Sequence, residues 1–425
     1  MSKKMILAAV AATLLAVPAA PALARSAPVA EAPAPVKIDK VRIDAALKAM
    51  VDSGRAVGVS ALIWKDGQER YFGTAGMADR EGGKPMRRDT LVQIFSMTKP
   101  VTGVALMQLW EQGKFGLDDP LSRYLPEFAD MKVMDAQGAT RPAARPIVIR
   151  DIMRHTAGFS YGGTATPADA AFSAADPLNL KNDLSEFGRR LATAPLLFDP
   201  GSEWSYSAAV DVQALLVEKL SDQPFEAYVK AHILDPLGMK ETAWTQPESA
   251  FTRLAATYNK GPDGKLMRQD DAETRSLNFD PSRRLTMGGA GLAASIDDYA
   301  RFSRMLLGEG ALDGVRILKP STVRLMATDH LDARVTERRW LPSKGTVGFG
   351  LDFTVRKSQP QTAAENRGAV GEFFWDGRET TLFWVDPVNH LTAVFFVQTY
   401  PFDATLHHDF RAAVYGPNYL GPKGD

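Results

Sequence analysis

The strand signals in this 425-residue chain sit at its two ends, and that placement limits the folds open to it. Val57 to Trp64 and Gln68 to Ala75 are β-rich runs joined by Lys65-Asp66-Gly67, and Asp-Gly between such runs is a strong hairpin signal. Thr380 to Val385 and Leu391 to Gln398 form a second pair across Asp386-Pro387-Val388-Asn389. Asp403 is placed to cap a last helix with Leu406, Phe410 and Val414 on one face. The middle differs. Pro100 to Gln112 is a nearly all-apolar helix closed by Gly113, and Asp183 to Ala192 and Ala208 to Leu220 read as further helices. Strands at both ends with helices between them imply an α+β fold: a sheet domain from 39–90 and 285–425, and a mostly helical insertion over 91–284. Ala250 to Arg284 is polar and poorly periodic and is assigned no element. No internal repeat is visible.

The first 24 residues are expected to stand outside the fold. Lys3 and Lys4 precede an apolar run from Met5 to Ala20, and Ala22-Leu23-Ala24 supplies a small-x-small cleavage signal, the order of a secretory signal peptide. Pro18 and Pro21 interrupt a run already short for a membrane span, so export without a stable membrane anchor is expected, to the periplasm or the exterior. Residues 25–38 are rich in Ala and Pro and read as a tether. The chain has no Cys, so a lipoprotein anchor, disulfides and thiolate metal sites are excluded, and the core alone must hold it. Lys+Arg and Asp+Glu balance at 50 each, leaving no basic excess to invite nucleic acid. The six His show no H-x-x-x-H or H-E-x-x-H spacing, so neither a metal nor another cofactor is expected.

Three short segments carry candidate chemistry. In Ser96-Met97-Thr98-Lys99 the hydroxyl and the amine share one face of a helix, where a desolvated Lys can lose its proton and serve as base for the Ser. It is the one S-x-x-K in the chain, and Pro100 suits the first turn that follows. Alone it is a weak signal, because one such match is expected by chance. Tyr206, in Trp204-Ser205-Tyr206-Ser207-Ala208, opens a helix; near a Lys ammonium its phenol can be drawn toward phenolate, or it can simply pack. Trp375-Asp376-Gly377-Arg378 precedes a strand run. Gly377 permits close approach to the backbone and the next N–H can face an oxyanion, the bland alternative being a plain turn. A competing motif, Gly158-Phe159-Ser160-Tyr161-Gly162, matches G-x-S-x-G, which has meaning only between a strand and a helix. Here Ile152-Met153-Arg154-His155 looks like a helix end and Gly163-Thr164-Ala165-Thr166-Pro167 cannot start a helix immediately, so Ser160 is set aside. His155 reads as a local hydrogen-bonding residue.

Taken in order and spacing, the three segments make the chain resemble class C β-lactamases and, more closely, the family VIII carboxylesterases, from about Val57 to Tyr415. Ser96-Met97-Thr98-Lys99 looks like the family's S-x-x-K, Tyr206-Ser207-Ala208 like its Y-x-N, and Trp375-Asp376-Gly377 stands where K-T-G would fall. His155-Thr156-Ala157-Gly158, Asp235-Pro236-Leu237-Gly238-Met239 and Gly288-Gly289-Ala290-Gly291-Leu292 before Asp298-Tyr299-Ala300 look familiar too. The resemblance implies a β-lactamase/transpeptidase-like fold, an antiparallel sheet flanked by helices with the site in the cleft against the helical domain. It implies Ser96 as acylated nucleophile, Lys99 and Tyr206 sharing the general-base work, and the N–H groups of Ser96 and Arg378 as oxyanion hole. Two positions depart from the pattern. Ala208 replaces the Asn that binds an amide side chain, and Trp375 replaces the Lys that meets a β-lactam carboxylate. That combination implies a carboxylesterase on small or medium acyl esters, with a D-amino-acid peptidase, a weak β-lactamase or a non-catalytic penicillin-binding-like module as alternatives. The partner expected is a small-molecule ester or amide.

Overall fold

The computed structural model describes residues 36–416 and Tyr419, so the expected signal peptide and nearly all of the tether lie outside the described residues. One antiparallel sheet organises the molecule. Its strands are β1 (Gly58–Lys65), β2 (Gln68–Asp79), β3 (Lys84–Pro85), β4 (Val347–Phe349), β5 (Thr354–Arg356), β6 (Phe373–Asp376), β7 (Leu382–Asp386) and β8 (Leu391–Val397), in the order β4-β5-β6-β7-β8-β1-β2-β3. The two hairpins read from sequence become neighbours because β1 pairs with β8, Val59 opposite Val397 through Lys65 opposite Leu391. Asp66 and Gly67 both take positive φ, 53° and 73°, as a tight two-residue hairpin turn requires. β2 runs four residues past the expected Ala75, whereas β7 starts two residues later than expected because Thr380 holds φ at 72°. Strands β4, β5 and β6 gave no sequence signal: at three or four residues each they are too short to show alternation.

Helices cover both faces of the sheet. Successive side chains on a strand point to opposite sides. Phe383 accordingly packs on Tyr299 of the helix Ile296–Leu307, with ring centroids 5.1 Å apart. Its neighbour Trp384 packs on Phe410 of the last helix, Ala404–Tyr415, at 5.4 Å. Double coverage explains why every residue of β8 is buried and why that strand reads as an unbroken apolar run. The last helix begins where expected, with the Asp403 side chain accepting the Thr405 N–H. The segment left unassigned in the sequence, 250–284, holds a 3-10 turn, the hairpin Tyr258–Lys260 with Leu266–Arg268, and the helix Asp271–Asn278.

A buried ionic cluster lies beneath the sheet. Glu372, fully buried, accepts hydrogen bonds from Arg356 Nε at 2.9 Å and Arg411 Nη1 at 2.8 Å, and Tyr415 Oη donates to Asp386 at 2.7 Å. Removing one member of such a group leaves uncompensated charge in the interior, at a cost of about 3–5 kcal/mol. Glu372→Ala should therefore lower the unfolding free energy by about that amount in a denaturant titration. A loss below about 1 kcal/mol would mean that the two guanidinium groups have found water.

Candidate active site

Ser96 is presented by a single turn of 3-10 helix, Phe95–Met97, that runs into the helix Thr98–Glu111. Phe95 holds φ at 43°, a left-handed conformation that costs a non-glycine residue energy and concentrates at functional sites. The turn is tied down from three directions. Tyr299 Oη donates to the Met97 carbonyl at 2.7 Å, Ile94 N donates to Leu292 O, and Leu292 N donates to Thr98 Oγ1. The family-like segments around Gly288 and Tyr299 thus serve to brace the Ser96 turn.

One helical turn on, Lys99 points back to the serine, with Nζ 3.4 Å from Ser96 Oγ. The side chain is 1% exposed, and Nζ donates to the Gly289 carbonyl at 2.7 Å and to Tyr161 Oη at 3.1 Å. Burial lowers its pKa to about 8, against the upward pull of the Asp211, Asp352 and Asp376 carboxylates. Gly289 is required here by closeness: a Cβ would stand 2.8 Å from Asp211 Oδ2 and 3.1 Å from Lys99 Nζ. Tyr206 lays its ring 4.5 Å from Lys99 Nζ, between Tyr161 and Trp375, each with centroids 5.4 Å away. Burial pushes its phenol up, while Ser96 and Trp375 close by pull it the other way. At hydrogen-bonding geometry, however, neither Tyr206 Oη nor Trp375 Nε1 meets a partner among the described residues. Both are buried polar atoms left open beside Ser96.

Trp375 and Gly377 reach the site from the end of β6. A Cβ on Gly377 would stand 2.7 Å from the Ile94 carbonyl, so the chain there packs directly against the turn that carries Ser96. The Gly377 N–H is used inside its own turn, donating to Thr381 O at 2.9 Å. The Arg378 N–H meets no acceptor among the described residues. The Arg378 side chain turns outward, half exposed, its guanidinium 4.8 Å from the Phe95 ring and 3.3 Å from Glu379. Burial raises the Glu379 carboxyl to about 7, offset in part by Thr257 and Arg378.

Ser160 stands elsewhere. Its hydroxyl is buried, donates to Asp169 and accepts the Gly162 N–H, and its segment is loop on both sides rather than a strand-to-helix elbow. His155 sits behind Tyr206, centroids 4.8 Å apart, with Nδ1 3.3 Å from Ser207 Oγ. Burial holds its pKa well below the usual imidazole value, so the ring is neutral. Ala208 is fully buried and caps the helix Ala209–Ser221. Sequence reasoning missed Tyr161, Asp211 and Lys344. Tyr161 lies inside the competing motif, whose pattern singles out the serine. Asp211 follows Tyr206 by five residues without a motif of its own, and Lys344 ends a short 3-10 helix, Leu341–Lys344, that carries no signal. The assembled site opens into a cavity of about 890 Å³ walled by Phe95, Trp204, Trp340, Trp375, Tyr400 and Phe402, among others.

With that geometry in place, comparison with known proteins is informative. The Beta-lactamase family model matches residues 43–415, nearly all of the described chain. The chain belongs to the beta-lactamase family. Protein Rv1367c of Mycobacterium tuberculosis is 35% identical over 389 residues, 88% of this chain and 92% of that protein. Esterase EstB of Burkholderia gladioli is 35% identical over 277 residues, 61% of this chain and 68% of that one. Among solved structures, EstCE1, described as a hydrolase with promiscuous acyltransferase activity, superposes with a TM-score of 0.75 at 28% identity, over 88% of this chain and 98% of its own. As a member of the beta-lactamase family the chain is a serine hydrolase, and the antiparallel sheet with flanking helices is that family's fold.

Two serines compete for the role of nucleophile, and geometry separates them. A fluorophosphonate should modify Ser96, whose hydroxyl opens on the cavity beside Lys99, and mass spectrometry of the digest locates the adduct. Ser160→Ala should keep the adduct while losing about 1–3 kcal/mol of stability, because the buried Asp169 is left short of a partner. An adduct on Ser160 would reverse the assignment.

Proposed function

We propose that this protein is a carboxylesterase that passes its acyl group through an ester on Ser96. The observation that carries the reading is the meeting of Ser96 Oγ, a desolvated Lys99 and the open Tyr206 hydroxyl at the floor of a largely aromatic cavity. Ser96 Oγ attacks the substrate carbonyl and yields its proton to the Lys99–Tyr206 pair. The oxyanion is held by the Ser96 and Arg378 N–H groups. Collapse expels the alcohol, which takes its proton back from Tyr206, and water repeats the sequence in the second half. Nothing in the cycle calls for a cofactor. EstB is named an esterase, which favours this chemistry; EstCE1's described acyltransferase activity favours a second outcome, in which an alcohol replaces water in the same cavity. We also propose that the protein is exported, on the strength of Lys3-Lys4, the apolar run and Ala22-Leu23-Ala24.

The pH dependence follows from Lys99. The base must be unprotonated to accept the Ser96 proton, and its pKa stands near 8. The value of kcat/KM for p-nitrophenyl butyrate should therefore rise with pH through about 8 and level off above it. A profile flat from pH 6 to 9 would show that Lys99 does not titrate in the rate-limiting step.

Lys99 and Tyr206 are expected to act as one unit, and removing members of a unit is far from additive. Lys99→Ala and Tyr206→Phe should each lower kcat by several orders of magnitude, and the double variant by little more. Additive losses would separate the two roles.

Substrate preference is set by what the cavity lacks. With Trp375 and Ala208 in place, a β-lactam would bury a carboxylate and an amide without dedicated partners, at about 1–3 kcal/mol for an unpaired polar group and more for the charged carboxylate. At about 1.4 kcal/mol per tenfold, p-nitrophenyl butyrate should exceed a chromogenic cephalosporin at least a hundredfold in kcat/KM. A faster cephalosporin would return the chain to the β-lactamases proper.

A further inference from the structure

Two acidic positions of the Trp375-Asp376-Gly377-Arg378-Glu379 stretch face two cations, and the catalytic cycle uses neither pair. Asp376 is the last residue of β6, and its carboxylate forms an ion pair with Lys344, which ends the short helix Leu341–Lys344. Both side chains are nearly excluded from solvent, at 13% exposure for Lys344 and 11% for Asp376. Lys344 Nζ also stands 5.2 Å from the Trp375 ring and 5.0 Å from the Phe402 ring. The ammonium is therefore lodged among aromatic faces, and Asp376 is its one hydrogen-bond acceptor among the described residues. Lys344, Asp376 and Ser96 line the same cavity.

The charges of that lining are consistent. Its ionisable members apart from the tyrosines are Asp211, Glu273, Lys344, Asp376 and Arg378. Lys344, the cation lodged among the cavity's rings, is paired with Asp376, while the half-exposed Arg378 turns outward beside Glu379, so a carboxylate entering the cavity finds Lys344 already occupied and meets Glu273. A desolvated ammonium needs a counter-charge, and the protein supplies one from its own strand. Without the Asp376 charge, Lys344 would keep its place among the rings and lack an anion.

We propose that Asp376 is a specificity-determining residue, which occupies Lys344 and thereby excludes carboxylate-bearing substrates from a cavity that would otherwise bind them. The inference rests on the hydrolase reading above, since it concerns what Ser96 is offered. It makes Lys344 a latent anion site, masked by an internal carboxylate held in contact with it.

Phenylboronic acid and 3-carboxyphenylboronic acid test this as competitive inhibitors of p-nitrophenyl butyrate hydrolysis, because they differ by one carboxylate and both add reversibly to a nucleophilic serine. In the unmodified enzyme the neutral boronate should bind at least tenfold more tightly. Asp376→Asn should improve the inhibition constant of the carboxylated compound at least tenfold relative to the neutral one, and adding Lys344→Met should abolish that gain. An unchanged ratio in a folded Asp376→Asn variant, checked by its melting temperature, would overturn the proposal. Should that variant not fold, Lys344→Met alone decides: it leaves Asp376 unneutralised and should widen the discrimination against the carboxylate, and an unchanged ratio again overturns the idea. A folded, unmodified protein that does not hydrolyse p-nitrophenyl butyrate would remove the esterase reading itself, and this proposal with it. Inhibition with an unaltered ratio removes only the proposal.

Discussion

Everything around the site is arranged to keep one ammonium out of water. Lys99 is surrounded by the Ser96 turn, the Tyr206 ring, Tyr161 and the Gly289 carbonyl, and burial lowers its pKa from 10.5 to about 8. That displacement is also a statement about stability. Because the folded pKa is the lower one, the unfolded chain holds the proton more firmly. The cost of burying Lys99 is fully present below about pH 8 and is relieved as the pH rises toward 10.5. At about 1.4 kcal/mol per pH unit it is on the order of 3 kcal/mol at neutral pH. The helix that carries Lys99 offsets this through an apolar surface buried nearly all round, from Pro100 to Leu109. The length and apolarity of that helix and the basicity of its first turn are thus one design problem with one solution.

This dependence explains what could be read in the sequence. Ser96 and Lys99 are three residues apart where a 3-10 turn runs into a helix buried nearly all round, and both that helix and the i, i+3 geometry are local properties. The meeting of the Ser96 hydroxyl with the Lys99 amine was legible for that reason. The Asp66-Gly67 hairpin was legible too, because its turn demands residues that accept positive φ. The pairing of β1 with β8 was not, since it joins residues more than three hundred positions apart and no pattern in either strand names its partner. Strands β4 to β6 escaped notice because three- or four-residue strands leave no period to detect.

The walls of the cavity were the least legible part. Gln269, Glu273 and Leu277 come from the stretch that had no periodicity, Trp340 and Lys344 from the two ends of a short 3-10 turn, and Tyr400 and Phe402 from the connection into the last helix. Side chains on such segments meet only through the fold that carries them. The division is physical. Reaction machinery must be rigid and sits on the first turn of a buried helix and the end of a sheet strand, whereas the surfaces that choose a substrate are free to be assembled from loops.

The Trp375 position links the two halves. The Trp375 indole puts a buried N–H beside Tyr206 and an aromatic face toward Lys344. Two cations stand nearby, Lys344 and Arg378, and each has a carboxyl group beside it one residue to either side of Gly377–Arg378, at Asp376 and Glu379. The strand end that packs against the Ser96 turn is therefore close to electrically neutral. A neutral wall suits the Lys99 requirement as well, because an unpaired cation there would oppose protonation of Lys99 when it takes the Ser96 proton, while an unpaired anion would hold that proton too firmly. Pairing keeps both effects small. Burial remains the largest influence on the basicity of Lys99, and Asp376, paired as it is with Lys344, stands behind Asp211 and Asp352 among the carboxylates that oppose it.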